Sequence, residues 1–169
     1  MAYIESVPGP DEGCIFCDKP GAGNDELAYI LARAERAFVL LNTFPYNPGH
    51  LMVAPFRHVA DLEGLGDEEL SDVSALLRRS VQALKDAVRP EGFNVGMNLG
   101  RVAGAGIPGH LHWHVVPRWN GDTNFMTVLG DVRVLPEGLA ETYRKLKPRF
   151  SSDRGTFSAQ PGPETGDVE

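Results

Sequence analysis

The sequence predicts an α+β domain: a five-stranded, mostly antiparallel sheet with one long helix on one face and a second helix towards the C-terminus. Three observations carry this. Five short apolar runs of strand length are separated by turn residues. One long stretch repeats its apolar residues at spacings of three and four. The fifth run alternates polar and apolar residues from His110 to Val115, as a half-buried strand does.

The elements follow in order. Residues 1–13 form a loose arm containing Pro8, Gly9 and Pro10. Tyr29–Arg33 and Phe38–Leu41 are strands around a turn at Ala34–Arg36. Pro45 and Pro48 make the stretch to Gly49 a loop, and His50–Pro55 is the third strand. From Asp67 to Val88 the apolar positions are Leu70, Val73, Leu76, Leu77, Val81, Leu84 and Val88. Asp67, Glu68 and Glu69 open that helix, where negative charge is favoured, and Pro90 follows its end. Phe93–Leu99 is the fourth strand, Gly100–Gly109 a glycine loop, and His110–Pro117 the fifth strand. Glu137–Leu146 forms the second helix. From Ser151 the chain is rich in Ser, Gly, Pro and acid without apolar periodicity, so residues 151–169 are expected to be disordered. The globular domain is therefore 14–150.

Sixteen basic against 23 acidic residues give a net charge of −7, which argues against a protein that wraps nucleic acid nonspecifically. A small anionic ligand stays open, because a pocket's local field can oppose the net charge. No apolar run approaches the roughly 20 residues of a membrane-spanning helix. The N-terminus has no cationic flank followed by an apolar stretch, so a cytoplasmic protein with no membrane partner is expected. Two cysteines in 169 residues make no disulfide scaffold.

The chemistry concentrates in GHLHWHVVPRW. His110, His112 and His114 alternate with Leu111, Trp113 and Val115, so on a strand the three imidazoles share one face. Their backbones spread over roughly 13 Å, too far for one metal ion to take all three, which points to a separate task for each ring. A plain polar sheet face is the bland alternative. The glycine loop leading into the strand counts against it, since glycines let backbone amides converge on an anion. This is neither a Walker loop nor a dinucleotide fingerprint, because the Gly-Lys-Ser/Thr ending and the following helix are both missing.

His-Leu-His-Trp-His-Val-Val resembles the motif of the histidine-triad (HIT) family, His-φ-His-φ-His-φ-φ with φ apolar. The resemblance extends to Asn42 and to PGHLMVAP, and covers most of residues 14–120. NVGMNLGRVAGAG and the segment through RWNGDTNFM look like the bacterial branch that includes dinucleoside polyphosphate hydrolases and phosphorylases. The resemblance implies attack on the α-phosphate of a nucleotide by the middle histidine, His112, through a covalent nucleotidyl-histidine. His114 would contact the phosphate or leaving group as a donor, and His50 would orient the reacting rings. Asn98 matches a position that bonds the phosphate region. Asn42 matches one that holds the ribose hydroxyls; an ordinary strand-end turn residue is the equal alternative. Many family members carry a Ser or Thr shortly before the first histidine, and this loop has none. The backbone amides of Gly104, Ala105 and Gly106 are expected to take that work. Arg101 and Arg118 are candidate extra cations, with Arg118 expected as solvated surface charge. Trp113 should be core, and Trp119 should wall the site or seat a neighbouring subunit. Phe16, Leu40 and Phe44 offer the base only apolar contacts, which discriminate weakly. The family also implies a homodimer in which two five-stranded sheets join.

Cys14-Ile-Phe-Cys17 is a CxxC pair. With His58 and His110 it would make a closed tetrahedral structural zinc site of two thiolates and two imidazoles. The resemblance supports this set, since some bacterial members hold zinc through a CxxC, a distal histidine and the first histidine of the triad. Reduced thiols packing a loop, or a redox pair, are the alternatives. The expected function is a nucleotide hydrolase or transferase acting on dinucleoside polyphosphates or adenylyl conjugates. The second reading is a nucleotide-binding or regulatory module with little turnover.

Overall fold

The computed structural model describes residues 13–122 and 137–151. The expected loose arm, up to its last residue Gly13, and the expected disordered tail, beyond Ser151, lie outside these residues. The described chain runs α1 (Ile15–Gly21), β1 (Ile30–Arg33), β2 (Ala37–Leu41), β3 (Leu51–Pro55), α2 (Asp67–Val88), β4 (Gly92–Met97), β5 (Trp113–Arg118) and α3 (Leu139–Ser151). Short 3-10 turns at Leu62–Gly64 and Arg101–Ala103 complete it. The strand order is β1-β2-β3-β5-β4, and every adjacent pair is antiparallel. This is the α+β architecture that the apolar pattern predicts, with four differences.

First, the sheet is covered on both faces. Alternate residues of β2 and β3, Val39, Leu41, Leu51 and Val53, join Trp113 and Val115 against Val73, Leu76 and Leu84 of α2 and Leu146 and Phe150 of α3. Their neighbours Phe38, Leu40, Met52 and Ala54 face the other way and pack with Ile30, Ala28 and Phe16. Period-two alternation sends one set to each face, and apolar residues in both sets make β2 and β3 wholly buried. Second, the element over the second face is α1, a helix that the apolar pattern does not predict. Third, α3 starts two residues later than expected and runs on through Pro148 to Ser151. Fourth, β5 begins at Trp113. The His110 N–H bonds Ile107 O and the Leu111 N–H bonds Val59 O, so His110 to His112 approach the ladder without joining it.

Helix α2 is built as its sequence requires. The Glu69 carboxylate accepts from the Gly66 N–H at 2.9 Å, satisfying a donor at the helix start. Arg89 ends the helix in the left-handed region at φ 48°, and Pro90 stops it from continuing. Helix α3 is tied to the far edge. Lys147 Nζ donates to Ile30 O and Leu31 O, and the Tyr143 hydroxyl donates to Ile30 O. Leu31 is the residue skipped where the β1–β2 register shifts between Ile30 and Ala32, so α3 supplies donors at the bulge.

Candidate active site and metal cluster

The site is built where β5 enters the sheet between β3 and β4. His114 sits in β5 opposite Met52 of β3 and Gly96 of β4, which places its ring on the α1 face. Gly96 puts no side chain beside it. His112, two residues earlier, is 6% exposed and His110 is 1% exposed. The rings of His112 and His114 are 5.0 Å apart and nearly perpendicular.

Hydrogen bonding fixes which nitrogen of each ring carries the proton. The Nδ1 of His112 lies 2.8 Å from the His110 carbonyl, which can only accept. Nδ1 is therefore the protonated nitrogen, and Nε2 keeps the lone pair. The Tyr46 N–H donates to His50 Nδ1 at 3.0 Å, so the His50 proton is on Nε2, 2.9 Å from His114 Nδ1. That makes His114 Nδ1 the acceptor and leaves its proton on Nε2. His112 thus presents a lone pair and its neighbour His114 an N–H.

Burial lowers the basicity of both rings. Desolvation holds His112 below the usual imidazole range, although its bond to the His110 carbonyl works the other way. His114 is pushed down to about 4, by burial first and then by His112 beside it. Phe16 contributes to the dryness. Its ring is fully buried and stacks on His112 at 4.7 Å, and lies 5.2 Å from His110.

Behind this site lies the second cluster. The ligand atoms of Cys14, Cys17, His58 and His110 all lie within 4.8 Å of one another. His110 Nε2 donates to Pro55 O at 2.9 Å, which leaves Nδ1 as a lone pair facing Cys14 Sγ at 3.3 Å and Cys17 Sγ at 3.6 Å. Cys17 Sγ is 3.4 Å from His58 Nδ1. Cys14 is the residue at which α1 begins and Cys17 stands one turn on, so the helix aims both sulfurs the same way. Burial, with Cys14 beside it, raises the Cys17 thiol to about 11. Two sulfurs and two imidazole lone pairs converging from three distant segments could hold a metal ion.

The remaining expected residues are placed as follows. Asn42 is buried; its Oδ1 accepts from the Phe44 N–H, and its Nδ2 lies 3.3 Å from His50 Nδ1. Both ends of that side chain therefore order the β2–β3 loop. Asn98 Nδ2 donates to Gly104 O, joining the end of β4 to the glycine loop. The amides of Gly104 and Ala105 donate to Arg101 O and Gly100 O inside that loop. Arg118 stays at the surface with its side chain 41% exposed, and it is also ion-paired with Asp122 through two nitrogens and bonded to Asn94. Trp113 is core, as expected, and Trp119 is half-buried with its main-chain N–H donating to Asp122. The sequence reading missed Asn47 and Asp122. They are 75 residues apart, and nothing in the sequence brings them together.

Comparison with known proteins agrees with this geometry. Over 128 residues the chain is 47% identical to a Mycobacterium tuberculosis protein named AP-4-A phosphorylase, covering 76% of this chain and 66% of that one. The chain thus spans just under two thirds of that relative's length. It is 29% identical over 125 residues to the asymmetrical bis(5'-nucleosyl)-tetraphosphatase of Schizosaccharomyces pombe, covering 73% of this chain and 68% of that one. A zinc-bound histidine triad family protein from Mycobacterium smegmatis superposes with a TM-score of 0.66 at 27% identity, over 82% of this chain and 94% of that one. The HIT domain model matches residues 26–121, which hold all five strands, the long helix and all three histidines of the motif, and the chain belongs to the HIT domain family.

Proposed function

We propose that this protein is a nucleotidyl-transfer enzyme acting on dinucleoside polyphosphates or adenylyl conjugates, with His112 as nucleophile. The observation that carries this is the proton placement on His112. Its Nδ1–H is committed to the His110 carbonyl, so Nε2 is a lone pair on a ring that burial keeps neutral. In the first step Nε2 forms a bond to the α-phosphorus, and the bond from phosphorus to the bridging oxygen breaks. The remaining nucleotide or phosphate chain leaves with that electron pair. The nucleotidyl-imidazole carries the positive charge, which the His110 carbonyl meets at Nδ1–H. His114 Nε2–H acts as a neutral hydrogen-bond donor to the phosphate oxygens or the leaving group. Held near pKa 4, that ring stays uncharged through the physiological range. In the second step an oxygen of water or inorganic phosphate bonds to phosphorus as the P–Nε2 bond breaks; that electron pair returns to Nε2, and the proton of an attacking water passes to solvent. His50 holds the His114 tautomer, and the glycine loop at Gly104, Ala105 and Gly106, with Asn98, lies at the phosphate side. The amide of Gly106 is the donor this reading assigns to phosphate, since those of Gly104 and Ala105 serve the loop. Asn42, buried at the end of β2, would shape the ribose side of the site through the loop that its two polar ends hold.

Zinc is the metal this reading gives to the cluster, with Cys14, Cys17, His58 and His110 as its four ligands and a role in folding. A four-ligand shell leaves no open position for an activated water. The 47% identical relative's name and the intact triad favour turnover over a binding module. A homodimer paired along β4 fits its place at the end of the sheet and the exposure of Val95 and Leu99. The function is tested by incubating the protein with diadenosine tetraphosphate, with and without inorganic phosphate, and identifying the products. ADP formed only with phosphate marks a phosphorylase, and AMP formed without it a hydrolase. His112→Ala should abolish turnover and keep nucleotide binding; near wild-type turnover in that variant overturns the mechanism.

A further inference from the structure

The proton on His114 is set by a relay that begins outside the site. His50 Nδ1 accepts from the Tyr46 N–H at 3.0 Å and faces the Asn42 amide, Nδ2, at 3.3 Å, so the Tyr46 backbone is the shorter of two donors that set the tautomer of His50 and through it that of His114. The next residue, Asn47, is gripped from the other side of the loop. Its Nδ2 donates to Pro117 O at 3.0 Å and to Asp122 Oδ2 at 2.8 Å, while its own carbonyl accepts the His50 N–H at 3.1 Å. Asp122 is an organising point: Oδ2 also accepts from Arg118 Nε at 2.6 Å and the Trp119 N–H at 3.1 Å, and Oδ1 accepts from Arg118 Nη2 at 2.7 Å. Its side chain is 12% exposed, and the Arg118 guanidinium holds the carboxyl well below the ordinary carboxylate range. An exposed ion pair alone contributes little to stability. Here one carboxylate gathers donors from two distant segments of chain, and one of those donors lies beside the backbone that addresses His50.

We propose that Asp122, acting through Asn47, is a positioning residue that fixes the His50–His114 tautomers so that His114 presents its N–H to the substrate. This rests on the reading above that His114 works in the reaction. Without the Asp122–Asn47 bond the loop at Tyr46 can shift, which leaves His50 Nδ1 with only the longer contact to Asn42 Nδ2, and His50 can exchange its proton between its two nitrogens. His114 then spends part of its time with the lone pair, not the N–H, on the substrate side, which repels a phosphate oxygen.

The test measures imidazole 15N chemical shifts and steady-state kinetics in the full chain, in the wild type, Asp122→Asn, Asn47→Ala and Val73→Ala. Val73 is a buried residue of α2 in the opposite core and serves as a control for lost stability. In the wild type each of His50 and His114 should show one protonated and one unprotonated ring nitrogen. Asp122→Asn and Asn47→Ala should move those signals towards averaged values and lower kcat on diadenosine tetraphosphate at least tenfold, with a smaller change in KM. Val73→Ala should lower the melting temperature and leave the ring signals where they were. Wild-type ring signals in both loop variants overturn the proposal, and Asn47→Ala alone decides the matter if Asp122→Asn fails to fold. Ring signals that move while turnover stays unchanged support the positioning and overturn instead the role assigned to His114.

Discussion

Phe16→Ala removes a fully buried ring that links the second core cluster to the face of His112. Truncating a buried Phe to Ala typically costs about 3–5 kcal/mol through lost transfer energy and the cavity left behind. Here the lower end applies, because α1 has only seven residues and Pro20 inside it, and it can lift away locally instead of holding the cavity open. A loss of about 3 kcal/mol is therefore expected, or a melting temperature lower by about 6–12 °C for a chain of this size. The ring's stack on His112 contributes separately, about 0.5–1.5 kcal/mol beyond buried area. Phe16→Leu keeps most of the volume and loses the stack, so it should cost about 1 kcal/mol. Urea denaturation of the three proteins at equal metal loading measures both numbers, with the slope unchanged if the denatured states match. Amide hydrogen exchange should quicken in α1 before it does in α2. A cost below about 1 kcal/mol for Phe16→Ala, or loss of protection spread evenly over both helices, would refute the packing argument.

Three further outcomes are expected. His114 titrates near 4 in the native protein and near 6.5 unfolded, so the unfolded chain binds more protons between those values. Stability contributed by this ring is complete above pH 6.5 and falls as the pH drops towards 4; His114→Gln should flatten that part of a stability–pH profile, and an unchanged slope argues against a buried neutral ring. Ser80 Oγ is buried in α2 without a hydrogen-bond partner among the described residues, so Ser80→Ala should stabilise by about 1 kcal/mol, read as a melting temperature higher by about 2–4 °C. If the Cys–His cluster takes zinc, purified protein should hold about one zinc per chain and melt at a lower temperature in chelator. Cys14→Ser and Cys17→Ser should each weaken retention; identical melting with and without chelator, and no uptake on reconstitution, removes the site.

Sequence patterns revealed most where one local rule governed the outcome. Helix α2 was legible because seven apolar residues keep its period and acids and a proline mark its ends. The alternation of His110, His112 and His114 marked the candidate site, yet it overstated β5. Extended backbone alternates its side chains whether or not it joins a ladder, and here His110 and Leu111 bond Ile107 and Val59 instead. Helix α1 was invisible because seven residues containing a proline carry no usable period, and tertiary burial of Phe16 with the Cys–His contacts hold it in place. The proton placement on the histidines was beyond any motif. It depends on the carbonyl of His110 and the amide of Tyr46, main-chain atoms that no residue pattern encodes.

Phe16 lies between Cys14 and Cys17 in the chain and against His112 in space. An ion bound at the cluster and a nucleotide bound at the histidines would both favour the docked position of α1. Their binding free energies would then be linked, and linkage is reciprocal: the factor by which an ion at the cluster would tighten nucleotide binding is the factor by which nucleotide would tighten the hold on the ion. A metal regarded as scaffolding would thereby report on substrate supply. In a zinc-poor cell the loaded population would be drawn from molecules already occupied by nucleotide, and two titrations, each run with and without the other ligand, would return a single coupling factor.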